Sequence, residues 1–307
     1  SRTHPQIPFI LIMNMNPNPN KTMKIKSTLS LLGSTLLCAL TLTAQGEDSR
    51  SEPQPDKENF IALYYSDGSA PSIGMEAVNN SLFEIGVRIS QVPIPVDAKP
   101  ILQVSKSRPL TKNESSLLIQ HFQLGRKELV HEILRAGRQP EMHRGGYLQT
   151  SEIGVAPYPK VYDMKALDQK TTIFLQSKFG KLHVNSSEAG VGIDEVMTIV
   201  SGAPYTWFFV LGNNVVVKLR FGTVNENSKA WRISYPGLVP HGGYFDAADG
   251  LVVAYAHGPK HFVMRYEDPS VDGFQTLGGN PWIDFTQDTP VLLNMPDSSD
   301  VVLTPAL

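Results

Sequence analysis

The sequence predicts an α+β fold: an antiparallel β-barrel or β-sandwich with an N-terminal helical hairpin. Two observations predict it. From Thr171 onward short β-type runs follow one another, separated by glycine, proline and asparagine turns. Between Thr111 and Gly137 apolar residues recur instead at helical spacing. A third observation bears on what holds the fold. Cys38 is the only cysteine and lies in a segment that reads as a cleaved leader, so the mature chain must rely on its core.

The elements run as follows. Residues 1–22 read as an upstream segment holding possible starts at Met13 and Met15, and a third start, Met23, opens the next segment. Residues 23–46 read as a signal peptide. Lys24 and Lys26 supply positive charge, Leu29 to Leu42 an apolar run, and Ala44-Gln45-Gly46 the small residues of a cleavage site. The apolar run falls short of the ~20 residues of a comfortable membrane span. The expected location is therefore periplasmic or secreted, with no membrane attachment after cleavage. Residues 47–59 are polar and proline-bearing, as in a flexible leader.

Residues 60–165 read as an N-terminal helical and extended region. Phe60 to Tyr65 is a short apolar strand or docking arm. Gln91 to Pro100 carries PIPVDAKP, whose prolines demand extended or irregular backbone. Thr111 with Glu114 three residues on is a capping box. Leu117, Leu118, His121 and Phe122 then follow at helical spacing, and Leu129, Val130, Ile133 and Leu134 repeat the pattern beyond Gly125. Gly137 is placed as the C-terminal cap. A helix-turn-helix would have the same outline, but an exported protein meets no DNA. A net charge of −2 without a basic run after the leader also argues against nucleic acid as partner.

Residues 166–307 read as the β-rich domain: TTIFL, KLHVN, VMTIV, TWFFV, VVVKLRF, WRISY, LVVAYA, HFVMRY and PVLLN. No glycine-rich strand-turn-helix unit occurs, which argues against a nucleotide cofactor. Trp207 and Phe209 share one strand face and Phe208 takes the other. One set belongs in the core; the other would line a ligand cavity or a homo-oligomer interface.

Without cysteine, candidate chemistry falls to histidines and carboxylates. His183 and Asn185 alternate on a strand and point to one face. Asp194-Glu195 opens a hydrophobic strand that ends at Gly202. His241 follows a Pro236-Gly237 turn, and His257 closes the run LVVAYA. His143 and His241 each precede a Gly-Gly-Tyr stretch: either both sit in loops lining one pocket, or the match is a coincidence of residues common in β-protein loops. The alternative makes His183 a core histidine bonded to Asn185 and Asp194-Glu195 a solvated turn. No G-x-S-x-G occurs, and neither Ser201 nor Ser151 has the context of a serine nucleophile.

This order of residues resembles the cupin superfamily. His183 matches the family's first histidine, Glu195 its glutamate, Gly202 the following glycine and His241 the late histidine. Asn185 stands where the family has a second histidine, and the gap from Asn185 to Glu195 is longer than the family pattern. The resemblance implies a cupin-like β-barrel and a divalent transition metal (Fe, Mn, Zn, Ni or Cu) held by His183, Glu195 and His241. His257 or His143 would then be a fourth ligand or general base. Two functions follow. One is an exported metal-dependent oxidoreductase, isomerase or lyase acting on a small organic substrate. The other is a non-catalytic periplasmic binding or structural protein with a metal-free barrel.

Overall fold

The computed structural model describes residues 59–124, 126–136, 159–202, 205–245, 249–257, 263–271 and 273–293. Its strands, in chain order, begin with β1 (Ile61–Tyr65), β2 (Ser72–Ile73), β3 (Arg88–Pro93), β4 (Pro159–Asp163) and β5 (Val184–Ser186). Then come β6 (Asp194–Ser201), β7 (Tyr205–Val210), β8 (Val216–Phe221), β9 (Lys229–Tyr235) and β10 (His241–Phe245). The last are β11 (Leu251–His257), β12 (Val263–Arg265), β13 (Ile283–Asp284) and β14 (Val291–Leu292). The helices are α1 (Met75–Leu82), α2 (Lys99–Ser105), α3 (Lys112–Phe122), α4 (Arg126–Arg135) and α5 (Gln169–Phe179).

Two five-stranded sheets, ordered β10-β7-β8-β1-β2 and β3-β9-β6-β11-β4, carry the fold. Every pairing in them is antiparallel. Among the described residues both sheets are open, with β10 and β2, and β3 and β4, at their edges. The barrel expectation therefore gives way to its sandwich alternative. One apolar core joins the sheets: Leu63, Trp207 and Leu219 from the first meet Ile199, Trp231 and Val253 from the second. Rings interlock across the gap, with Phe221 5.6 Å from Trp231 and Phe209 5.4 Å from Tyr235. Residues 60–165 and 166–307 share both sheets, since β1 pairs with β8, β3 with β9 and β4 with β11.

The capping box forms as its chemistry requires. The Thr111 hydroxyl accepts from the Glu114 amide, and the Glu114 carboxylate accepts from the Thr111 amide. Helix α3 packs on β4 and β11, and α4 packs on β3, so both lie against the second sheet. The cap expected at Gly137 lies outside the described residues.

Several local expectations change. TTIFL is not a strand but part of α5. Asp168 caps it by accepting from the Thr171 amide at 2.7 Å, and that start signal outweighs the β-branched run. The stretch from Gln91 splits into the end of β3, a 3₁₀ turn at Val96–Ala98 and α2. Pro100 sits in the first turn of α2, where its missing amide costs nothing. His241 opens a strand rather than sitting in a turn. Trp207 and Phe209 face the shared core, while Phe208 stacks on Trp282 at 6.2 Å. The C-terminal segment around Leu277, Trp282 and Ile283 thus covers the outer face of β7.

Candidate functional site

The site forms where the edge strand β10 meets β5. His183 and His241 bridge through their backbones: each amide donates to the other's carbonyl, at 3.0 and 2.9 Å. The bridge brings the two imidazoles edge to face, with centroids 4.6 Å apart. The chain from β5 to β6 turns tightly beside it. Asn185 donates its amide to the Gly237 carbonyl at 2.7 Å and accepts the Ile193 amide at 3.0 Å. A Cβ at Gly237 would collide with backbone atoms of both Ile193 and Asn185, so only glycine fits there.

The second sheet supplies the acid. Glu195 on β6 and Tyr235 on β9 are cross-strand partners. The Tyr235 hydroxyl donates to Glu195 Oε2 at 2.7 Å. The same Oε2 lies 3.3 Å from His241 Nε2. The Tyr235 ring also tilts against the His241 ring, centroids 4.6 Å apart. All are buried, with Tyr235 1 %, His241 2 % and Glu195 4 % exposed, so the pair is shielded from bulk water. The alternative of a solvated Asp194-Glu195 turn fails on that burial. Both residues lie in β6, and Asp194 is only 1 % exposed.

Each histidine is oriented through its other nitrogen. His183 Nδ1 lies 2.8 Å from the Lys181 carbonyl and His241 Nδ1 2.6 Å from the Val239 carbonyl. A carbonyl only accepts, so each Nδ1 carries a proton and each ring turns its Nε2 edge away from that carbonyl. Burial pushes the His183 imidazole well below its ordinary value. The charge of His241 adds to the effect, the bond to Lys181 opposes it, and the Lys178 charge adds a little more. Asn185, not a histidine, meets His241 Nε2: its Nδ2 lies 2.9 Å away. His183 is thus a buried histidine as the alternative held, yet Asn185 is bonded to His241 instead of to it.

These groups end a cavity of about 760 Å³. Its walls include Tyr162, Phe179, Met197, Trp207, Phe245 and Tyr266. Tyr162, Phe179 and Phe245 pack as a cluster with centroids 5.5 to 6.5 Å apart, and Trp207 stands 5.7 Å from Phe245. Burial, with the nearby Glu195 charge, raises the Tyr162 phenol above its ordinary value, and burial raises that of Tyr266. Both phenols stay protonated at neutral pH. The lining is apolar with a few convergent polar groups, the usual character of a small-molecule site.

The structure brings together three of the residues singled out in the sequence, His183, Glu195 and His241, at one cavity wall. His257 lies in β11 opposite Asp194, one position beyond Ala256, which faces Glu195. His143 lies outside the described residues. Tyr235 and the aromatic walls other than Trp207 escape a reading of the sequence, because a strand tyrosine or phenylalanine looks like any core residue. The Tyr235-Pro236-Gly237 turn beside the histidine was the available signal.

A metal fits this set incompletely. The 3.3 Å between His241 Nε2 and Glu195 Oε2 suits two donors about 2.0–2.2 Å from one ion. However, Asn185 Nδ2 already meets His241 Nε2. Among the described residues no three His, Cys, Asp or Glu side chains are grouped to hold an ion. As the side chains stand, the third ligand position is not formed.

Fold and site together define an antiparallel two-sheet protein with a cavity of ligand size ending on a buried Glu–His–Asn cluster. Neither a family model nor a curated protein matches the chain. Among solved structures it is similar to an acireductone dioxygenase from Bacillus anthracis with cadmium ion in its active center, at 16% identity and a TM-score of 0.45. That likeness covers 68% of this chain and 99% of the other. Among the described residues no helix is long and apolar enough to cross a membrane.

Proposed function

We propose that this chain is an exported, cupin-like protein that binds a small organic molecule in the cavity beside His183, Glu195 and His241. One observation carries the reading. A cavity of about 760 Å³ with aromatic walls ends on side chains that are almost wholly buried yet line it. Such a lining recognises an apolar body and fixes one polar end. The cupin order of His183, Glu195, Gly202 and His241 supports the same assignment of the site. The Tyr235–Glu195–His241 contacts put an acid and a base within one hydrogen-bond step of each other, as general acid–base chemistry needs. The charge, apolar run and small residues of 23–46 support export.

The test of binding is a fragment screen by thermal shift on the mature protein. Met264 lines the cavity and is only half-buried, so Met264→Trp would fill space without emptying the core. Fragments that raise the melting temperature of the parent and not of Met264→Trp support the reading. A screen in which no fragment discriminates the two sinks it. Export is checked separately, by the N-terminal sequence of protein recovered outside the cytoplasm.

A second reading is a metal-dependent oxidoreductase, isomerase or lyase, favoured by the 3.3 Å separation of His241 Nε2 and Glu195 Oε2. His183, Glu195 and His241 would hold a divalent ion, with His257 or His143 as fourth ligand or base. The ion would supply Lewis acidity to a bound substrate. Elemental analysis of the purified protein decides, together with melting in added Mn, Fe, Ni, Cu or Zn. A native-state ligand must raise stability, so no metal and no shift would dispose of this reading.

A further inference from the structure

Two features of the cavity wall are not used by the reading above. The first is Asn185. It lines the cavity and is 1 % exposed. Its Nδ2 is committed to His241 Nε2, but its Oδ1 has no hydrogen-bond partner among the described residues. Buried acceptors are almost always satisfied, because an orphan keeps the cost of desolvation with no return. The oxygen therefore calls for a donor brought from outside the fold.

The second is Gly243 on β10. Its φ is not in the left-handed region, so the backbone does not require glycine there. What a side chain would meet is Trp207: a Cβ would lie 3.3 to 3.5 Å from Cε2, Nε1 and Cζ2 of the indole. Gly243 and Trp207 are also cross-strand partners, and both line the cavity. Glycine thus keeps a side chain from standing between this ring and the space. Its neighbour Gly242 has a different reason, since a Cβ there would press on the carbonyls of Phe179 and Gly180. With Tyr162, Phe179 and Phe245, the indole makes a wall of rings suited to flat partners.

We infer that the cavity takes a planar aromatic molecule bearing a hydroxyl, its ring against Trp207 beside Gly243 and its O–H donated to Asn185 Oδ1. The inference rests on the small-molecule reading of the cavity and names the class of ligand. Asn185 then has a binding role where the cupin pattern has a metal ligand. Its Nδ2 holds His241, and its Oδ1 reads the hydroxyl.

Three probes built on one two-ring carbon skeleton test this by calorimetry on the mature protein. 2-Naphthol has ring and donor, 2-methoxynaphthalene has the ring alone, and decahydro-2-naphthol has the donor without the flat ring. 2-Naphthol should bind, with each of the others about tenfold weaker or more. Asn185→Leu should erase the difference between 2-naphthol and its methyl ether. Gly243→Val should weaken 2-naphthol at least about tenfold, with Gly243→Ala intermediate if the larger change unfolds the chain. Equal binding of the three probes overturns the inference, as does a preference for the hydroxyl that survives Asn185→Leu. Failure of 2-naphthol to bind at all also overturns it. The wider reading of the cavity then stands or falls on the fragment screen with Met264→Trp, which does not depend on ring or hydroxyl.

Discussion

The Tyr235 hydroxyl donates to Glu195 Oε2 at 2.7 Å, across a sequence separation of 40 residues. The contact ties the last residue of β9 to the second residue of β6 and holds the carboxylate against His241. Removing the donor alone should cost about 1.5–3 kcal/mol, because the acceptor is a buried carboxylate. Tyr235→Phe keeps the ring packed on Phe209 and His241, so urea unfolding of this variant isolates the hydrogen bond. A loss below about 0.5 kcal/mol, the range of neutral surface changes, would show that the carboxylate does not depend on Tyr235.

Stability should fall as the solution is acidified through the range of the unfolded histidine. Burial and the charge of His241 lower the His183 imidazole in the folded chain well below its ordinary value of 6.5. The unfolded chain therefore binds a proton that the folded chain refuses. This contribution is fully present above pH 6.5 and is lost progressively as pH falls toward the folded value. The slope from one such group is about 1.4 kcal/mol per pH unit. Urea midpoints between pH 7.5 and 5 measure it, and His183→Gln should flatten the profile.

Gly237→Ala should be among the most damaging single changes near the site. The added Cβ meets backbone atoms of Ile193 and Asn185, which no rotamer change can move aside. The cost should reach about 3 kcal/mol, the upper end for overpacking. Circular dichroism melts would read the loss of stability. A variant melting like the parent would mean that the turn between β9 and β10 gives way freely.

Asp168→Ala should loosen α5, the helix that brings Lys178 and Phe179 to the cavity wall. The lost cap is worth about 1 kcal/mol. Asp168→Asn, which can still accept from the Thr171 amide, should retain most of it. Equal melting of Ala and Asn variants would show that the cap at 2.7 Å contributes nothing.

How much of this was legible in the sequence varies with the range of the interaction involved. Thr111 and Glu114 are three residues apart, and their reciprocal bonds form as the spacing requires. Trp207, Phe208 and Phe209 divide between two faces as strand alternation dictates. TTIFL misled because β-branched residues favour strands in isolation, while the deciding signal was the aspartate just before them. Val291–Leu292 is a shorter strand than its apolar run suggests, and it pairs with an equally short partner at Ile283–Asp284.

The candidate site divides in the same way. Residue types and order along the chain were enough to single out His183, Glu195 and His241. They were also enough to mark Asn185 as the departure from the cupin pattern. That Asn185 faces His241, 56 positions away, and that Tyr235 holds Glu195, was decided only by the tertiary structure. The reason is physical. Caps and alternation are set by bonds and angles within a few residues, so composition and spacing determine them. The convergence of β6, β9, β10 and the start of β5 on one cavity depends on register: His183 against His241, and Glu195 against Tyr235. A shift of one residue would turn each of these side chains to the opposite face, and register is selected by the packing of the whole core.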